Sequence, residues 1–200
     1  NIEISKLHHN SEEYLKILVS AMDYAYRDRA KYLGDPDFFE VPQNLLTSKK
    51  YANDIYQLIK KKKSPSKLEL NILEGEETTH FSILDKWGNA VSNTYTLNTA
   101  YGSGIVPSGT GILMNNEMDD FSSKPGHPNA YGLIGSEANK IEPKKTPLSS
   151  MTPVIVFRDN KPYLITGSPG GSTIITSVLQ ELLNVIDFQM SLRESSQKSR

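Results

Sequence analysis

The chain has 200 residues, of which 37% are hydrophobic and 22% are charged, and this composition predicts a folded domain rather than a disordered segment. Lys and Arg number 22 against 23 Asp and Glu, so the chain lacks the basic surplus of proteins that bind nucleic acid or anionic membranes. The absence of cysteine excludes disulfides, thiolate catalysis and cysteine-ligated zinc. Apolar stretches fall short of the roughly 18 residues that a membrane span requires.

The first third of the sequence predicts two helices. Apolar residues in 11–32 recur at helical spacing, and Ser11 followed by two glutamates is typical of a helix start. Gly34 is predicted to end this helix. A second helix is predicted over about 48–62. The mixture of Ser, Pro, Lys and Glu in 63–77 then predicts an exposed connector.

From Thr78 onward the sequence predicts strands and turns. Residues 79–85 and 90–97 are rich in β-branched and aromatic side chains and flank a turn, which indicates a β-hairpin. A second hairpin is predicted from 153–158 and 163–166, which flank an Asp-Asn turn.

Two later segments have the composition of functional loops. Residues 101–136 are crowded with Gly, Pro, Asn and Ser, and long irregular stretches within compact domains are often functional. Residues 167–172 read GSPGGS and precede a helix predicted over 174–186. Free N–H groups at a helix start, approached closely through glycines, suit an anion that is bound or that develops during a reaction. The same loop equally suits a helix-entry turn that only requires small residues.

Thr78 opens a strand directly after the acidic end of the connector. If the chain were cut before it, its new α-amine would lie beside its own hydroxyl and could take the hydroxyl proton, which activates a nucleophile. Without further support, an ordinary strand threonine is the simpler interpretation.

Three carboxylates and two amides are packed into residues 115–120. This cluster suits a polar loop, a calcium site or a binding site for an ammonium group. The spacing of an EF-hand is missing, which argues against calcium. Ser149 and Ser150, between two prolines, suit a simple turn. His80 and His127 have no histidine partner at metal-binding spacing, which argues against zinc.

Several motifs in these segments occur in a fixed order along the chain: 24–37 (YAYRDRAKYLGDPD), 78–82 (TTHFS), 85–91 (DKWGNAV), 94–98 (TYTLN), 113–121 (LMNNEMDDF), 124–126 (KPG), 147–151 (PLSSM) and 167–172 (GSPGGS). Together they resemble gamma-glutamyltranspeptidase, a family of N-terminal nucleophile hydrolases. The resemblance covers nearly the whole chain.

This resemblance implies an α+β fold, a four-layer αββα sandwich that is incomplete in this chain. It also implies a precursor that cuts itself between Glu77 and Thr78. Residues 1–77 would then be the C-terminal end of the large subunit, and residues 78–200 a small-subunit catalytic segment truncated at its C-terminus. The two subunits would remain together as a heterodimer.

The resemblance also implies the catalytic roles. Thr78 would be both the autoprocessing residue and the nucleophile that attacks a γ-glutamyl amide such as that of glutathione. Thr96 would hydrogen-bond and orient that nucleophile, and Gly170 and Gly171 would form the oxyanion hole. The acyl group would pass to water or to an amino-acid or peptide acceptor. Neither a cofactor nor a metal is expected.

Recognition of the glutamyl end follows from the same resemblance. The expected ligands of the substrate α-amino group are Asn98, Glu117 and Asp120. Ser149 and Ser150 are expected at the α-carboxylate, and Tyr131 in a lid over the pocket. The family's location implies a periplasmic, secreted or extracellular-facing protein.

The sequence departs from the family pattern in one important respect. The arginine that pairs with the substrate carboxylate belongs to the family's upstream region, and neither Arg27 nor Arg29 matches it. The chain by itself is therefore expected to have little activity. Two alternatives stay open: an amidase of the same superfamily acting on a β-lactam side chain or poly-γ-glutamate, and an inactive fragment.

Overall fold

The computed structural model describes residues 2–61, 77–129 and 132–199. Apart from Glu77, the connector predicted over 63–77 lies outside the described residues, and so does Tyr131.

Helices dominate the beginning and the end of the chain. The five α-helices of the described residues are α1 (Glu12–Tyr32), α2 (Gln43–Leu46), α3 (Lys49–Lys61), α4 (Ile174–Ile186) and α5 (Leu192–Gln197). The helix predicted from Ser11 is confirmed, and the Ser11 hydroxyl caps it by accepting a hydrogen bond from the N–H of Tyr14 at 3.3 Å. Helix α5 was not predicted, although Ser191 and Glu194 form a capping box at its start.

The strands form two antiparallel hairpins, as predicted. Their bounds are β1 (Thr79–Leu84), β2 (Ala90–Tyr95), β3 (Val154–Arg158) and β4 (Lys161–Thr166). Strand β1 ends one residue early because the Asp85 carboxylate accepts hydrogen bonds from the N–H groups of Trp87 and Asn89 and so closes the turn. Asp159 and Asn160 have φ values of 51° and 60°, which is typical of a type I′ hairpin turn.

Side chains of β1 and β2 join the two hairpins. The Ser92 hydroxyl donates to the Thr166 carbonyl at 2.9 Å, and the Ser82 hydroxyl donates to the Ile165 carbonyl at 3.1 Å. At Gly167, a Cβ atom would lie 2.2 Å from Nδ1 of His80, so only glycine permits this approach. The start of β1 is therefore held beside residues 167–172, here called the glycine loop, which follow β4.

The buried apolar side chains come from both ends of the chain. Helix α4 buries Ile174 and Val178, and α1 buries Tyr14 and Leu18. Leu15 and Val19, which helical spacing places on the same apolar face of α1, are 40% and 48% exposed. The described elements that pack on α1 thus cover only part of its apolar face. No helix in the described part of the chain has the length and apolarity to cross a membrane.

Candidate active site

Residues that flank the first hairpin, the irregular loops, the glycine loop (residues 167–172) and the start of α4 meet in one open cleft. Most of its lining residues are those that the sequence predicts for the site. They are Thr78, Thr96, Asn98, Glu117, Asp120, Ser149, Ser150 and Gly171, joined by Met151, Ser172 and Ile174.

Thr78 and Thr96 lie at the same end of the first hairpin. The register pairs Thr79 with Tyr95, so Thr78 and Thr96 are the next residues outward on the two strands. Thr78 is half-buried, whereas Glu77 is exposed. The Thr96 hydroxyl accepts a hydrogen bond from the N–H of Asn98 at 2.9 Å, which fixes its position beside the cleft.

The glycine loop turns sharply just before α4. Gly170 and Gly171 have φ values of 129° and 54°, a region that favours glycine. The Gly170 carbonyl accepts a hydrogen bond from the N–H of Thr173 at 3.0 Å, which starts a short 3₁₀ turn over Gly171–Thr173. Gly171 lines the cleft, while Gly170 precedes it and is not among the lining residues.

Glu117 and Asp120 form a pair of neighbouring acids, here called the acid pair, on a 3₁₀ turn at the cleft. Burial, followed by the nearby charge of Asp120, raises the pKa of Glu117 to about 7. Burial also raises the pKa of Asp120, against the opposing attraction of Arg29. Two carboxyl groups in such surroundings favour a bound cation, which would stabilise their ionised forms.

Asn98 anchors the acid pair's loop to the first hairpin. Its side chain is 6% exposed, its φ is 79°, and its Nδ2 donates to the carbonyl of Asn116 at 3.2 Å. Asparagine tolerates this left-handed conformation better than most residues do. Asn98 therefore lies in the same cleft as the acid pair.

Arg29, which does not match the family's carboxylate-binding arginine, contacts the two serines. Nη2 of Arg29, on α1, donates to Oγ of Ser150 at 3.0 Å and lies 3.4 Å from the carbonyl oxygen of Ser149. Burial lowers the pKa of Arg29, and the charge of Asp120 partly opposes this. Sequence spacing alone gave no signal for this contact, because Arg29 on α1 and the loop that carries Ser149 and Ser150, here called the serine loop, are about 120 residues apart in the chain.

Tyr26 is a second site residue that sequence reasoning missed. It lies one helical turn before Arg29, and its hydroxyl donates to the carbonyl of Ser172 at 2.6 Å. Helix α1 therefore reaches the serine loop through Arg29 and the glycine loop through Tyr26.

The remaining predictions concern the lid and metals. Tyr131, the predicted lid residue, lies outside the described residues. Among the residues that the structure describes, no group of three or more His, Cys, Asp or Glu side chains is arranged to hold a metal ion.

The chemistry available in the cleft follows from these groups. Thr78 at the hairpin end and Gly171 just before a helix line the same cleft, and a hydroxyl near backbone N–H groups at a helix start suits attack on a carbonyl. The acid pair suits an ammonium group, while Arg29 and the serines suit a carboxylate. The cleft can thus hold the zwitterionic end of an α-amino acid near a nucleophile.

Comparisons with known proteins identify the family to which the chain belongs. The family model described as gamma-glutamyltranspeptidase matches residues 1–200. The chain is 50% identical over 205 residues to the glutathione hydrolase proenzyme of Escherichia coli (strain K12), an alignment that covers 100% of this chain and 35% of that protein. The chain therefore spans about a third of that relative's length.

Solved structures show the same relationship. The gamma-glutamyltranspeptidase from Pseudomonas nitroreducens complexed with L-DON has a TM-score of 0.59 and 60% identity, over 61% of this chain and 63% of that one. The cephalosporin acylase from Bacillus halodurans has a TM-score of 0.75 and 25% identity, over 99% of this chain and 35% of that one. These neighbours confirm the predicted α+β fold of the N-terminal nucleophile hydrolase type.

Proposed function

The chain belongs to the gamma-glutamyltranspeptidase family, and from this membership we propose that the complete protein is a self-processing γ-glutamyl transferase/hydrolase. One observation carries the proposal. A single cleft holds Thr78 together with the acid pair and the two serines, so a nucleophile lies beside groups suited to a zwitterionic glutamyl end. The substrates are glutathione and related γ-glutamyl compounds.

The proposed processing divides the chain before Thr78. Residues 1–77 form the C-terminal end of a large subunit, and residues 78–200 belong to the small subunit that stays bound to it. The exposure of Glu77 supports a cut between Glu77 and Thr78. By family resemblance we place the protein in the periplasm or outside the cell, which fractionation of the source cells would test.

The proposed reaction begins when Oγ of Thr78 adds to the γ-carbonyl carbon and its proton passes to the free α-amine of the same residue. The carbonyl π electrons move to the oxygen, where the N–H groups of the glycine loop stabilise the charge. On collapse, the C–N bond breaks and the departing amine takes the proton, which leaves an acyl ester on Thr78. Water or the amine of an amino acid or peptide then releases the glutamyl group.

Thr78→Ala in the full-length protein tests the proposal. Loss of one hydroxyl should abolish both self-cleavage and turnover of a γ-glutamyl anilide, so a gel should show a single uncut chain. Thr110→Ala is the matched control, because the exposed Thr110 hydroxyl makes local bonds, donating to the Pro107 carbonyl at 2.8 Å and accepting from the N–H of Ile112 at 3.1 Å. An alanine variant that is still cut between Glu77 and Thr78 would show that another group is the nucleophile.

A second candidate function is amide hydrolysis of a β-lactam side chain, which the likeness to the cephalosporin acylase favours. A glutaryl amide lacks the α-amino group for which the acid pair is suited. Comparison of γ-glutamyl and glutaryl anilides therefore separates the two functions. Faster turnover of the glutaryl compound would support the acylase and contradict a glutamyl-specific site.

A further inference from the structure

The segment that leads into the serine loop is held by a carboxylate from the other side of the proposed cut. Oδ2 of Asp35 accepts a hydrogen bond from the N–H of Thr146 at 2.8 Å, across 111 positions of the chain. Oδ1 of the same carboxylate accepts from the N–H of Asp37 at 3.0 Å, which closes the turn that follows α1. Asp35 thus joins the backbone after α1 to the backbone just before Ser149.

Asp35 makes these bonds as a charged group. The N–H of Thr146 and then the N–H of Asp37 hold the pKa of this carboxyl below its ordinary value. The charge of Lys145, whose side chain is 1% exposed and whose Nζ lies 3.1 Å from Oε1 of Glu142, acts in the same direction. Hydrogen bonds to an ionised acceptor are stronger than those between neutral groups. The N–H of Thr146 is therefore held by a bond that a neutral side chain does not fully replace.

The turn that carries Asp35 is itself packed closely against residues 136–138. A Cβ atom at Gly34 would lie 2.1 Å from the carbonyl oxygen of Ala138, so the gap has no room for a side chain. The Ser136 hydroxyl donates to the carbonyl of Lys31, in the last turn of α1, at 3.0 Å. Asp35 is thus presented from a fixed backbone, as a side chain that positions another group must be.

A second anchor follows Thr146 before the chain reaches the two serines. Pro147 has a fixed φ, and the N–H of Leu148 donates to Oδ1 of Asn139 at 3.0 Å. Nδ2 of Asn139 in turn donates to the carbonyl of Asp120 at 2.8 Å, which ties the segment to the acid pair. Two anchors fix the direction in which the chain enters the serine loop, whereas a single anchor leaves a pivot that lets the serines move.

We propose that Asp35 is a positioning residue for the α-carboxylate end of the γ-glutamyl substrate. This inference rests on the proposed function, in which Ser149 and Ser150 bind that carboxylate. Asp35 is not among the residues that line the cleft, and it acts on the substrate only through the backbone that it holds at Thr146. Because this bond crosses the proposed cut, the large subunit sets the geometry of a binding site on the small subunit.

Asp35→Asn in the full-length, matured protein tests the inference, since asparagine offers one acceptor oxygen where the carboxylate offers two. Asp37→Asn is the matched control, because Asp37 lies on the same turn and is exposed. Three anilides are compared: γ-glutamyl anilide as substrate, and as competitive inhibitors glutaryl anilide, which lacks the α-amino group, and 4-aminobutyryl anilide, which lacks the α-carboxylate. We expect Asp35→Asn to raise KM for the substrate and Ki for glutaryl anilide about 10-fold, with Ki for 4-aminobutyryl anilide within about twofold.

The comparison of the three anilides separates positioning of the carboxylate end from a general loss of structure. Equal changes in all three constants would overturn the inference, and so would equal KM values for Asp35→Asn and Asp37→Asn. If Asp35→Asn does not mature, Asp35→Glu, which keeps the charge but displaces it by one methylene, is measured with the same anilides. The same difference between the inhibitors is then expected, and equal changes would again overturn the inference. Absence of γ-glutamyl anilide turnover by the wild-type protein would instead contradict the proposed function, and the inference with it.

Discussion

Arg29 and Ser150 are joined by a 3.0 Å hydrogen bond from Nη2 to Oγ, although 121 positions separate them in the chain. They lie on opposite sides of the proposed cut before Thr78. Helix α1 is therefore part of the wall behind the serine loop, and Arg29, which does not line the cleft itself, is a cation directly behind the two serines at which a substrate carboxylate is expected. The site depends on contact between the two proposed subunits.

The first prediction concerns this arginine. Arg29→Lys should raise KM for a γ-glutamyl anilide by about 10-fold or more, because hydrogen bonds to charged groups contribute roughly 1.5–3 kcal/mol and lysine lacks the planar fork. Arg27→Lys is the control, since Arg27 pairs with Asp23 at the surface, with Nε 2.9 Å from Oδ1. Steady-state kinetics of both variants provide the measurement, and equal KM values would contradict a role for Arg29 at the serines.

A second prediction concerns the bond from Tyr26 to Ser172. Tyr26→Phe removes one hydrogen bond, worth about 1 kcal/mol, and should lower kcat about fivefold with little change in KM, since it loosens the glycine loop. Tyr51→Phe is the matched control, because the Tyr51 hydroxyl bonds to the Asp28 carboxylate at 2.9 Å, between α1 and α3. If the two variants have the same kcat, Tyr26 does not position the loop.

The third prediction separates substrate binding from processing at Asp120. Asp120→Asn should raise KM for a γ-glutamyl anilide about 30-fold or more, since loss of one partner of a desolvated charge pair costs roughly 2–5 kcal/mol. Self-cleavage should slow much less, because the precursor has no α-amino group at this position. Asp119→Asn, at an exposed neighbouring carboxylate that accepts from Nδ2 of Asn116, serves as the control. Equal damage to processing and to KM would indicate a structural role for Asp120.

The fourth prediction follows from the pKa of Glu117. Because that pKa is raised to about 7, the carboxyl group is neutral below this pH and ionised above it. An ammonium group binds better to the ionised form, so KM for a γ-glutamyl anilide should fall as the pH rises from about 6 to 8. Glu117→Gln should flatten the profile across this window. A profile that is unchanged in the variant would show that Glu117 does not control binding.

The raised pKa of Glu117 also affects the stability of the protein. Its contribution to stability falls as the pH rises, whereas substrate binding is expected to improve. The pKa of Glu117 in the folded protein lies above its ordinary value of 4.5, so the contribution of this carboxyl group to stability is fully present below pH 4.5 and is lost as the pH rises through about 7. Glu117→Gln should therefore raise the Tm relative to wild type at pH 8 more than at pH 5. Thermal unfolding at the two pH values measures this difference, and an equal effect at both would contradict it.

Local sequence patterns predicted much of the fold. The Asp-Asn turn, the β-rich strands beside it and the spacing of apolar residues in α1 and α4 each depend on neighbours within a few positions. The spacing also places Leu15 and Val19 on the apolar face of α1, but periodicity shows which residues share a face and not how much of that face another element covers.

The sequence by itself determined the two hairpins, the helices α1, α3 and α4, and, through family motifs, most of the residues that line the cleft. Only the tertiary structure decided that Arg29 meets the serine loop and that Tyr26 holds Ser172. The physical reason is the range of the interactions. Turn and helix preferences act over a few residues, whereas these contacts join residues more than a hundred positions apart and form only when α1 packs against the glycine and serine loops.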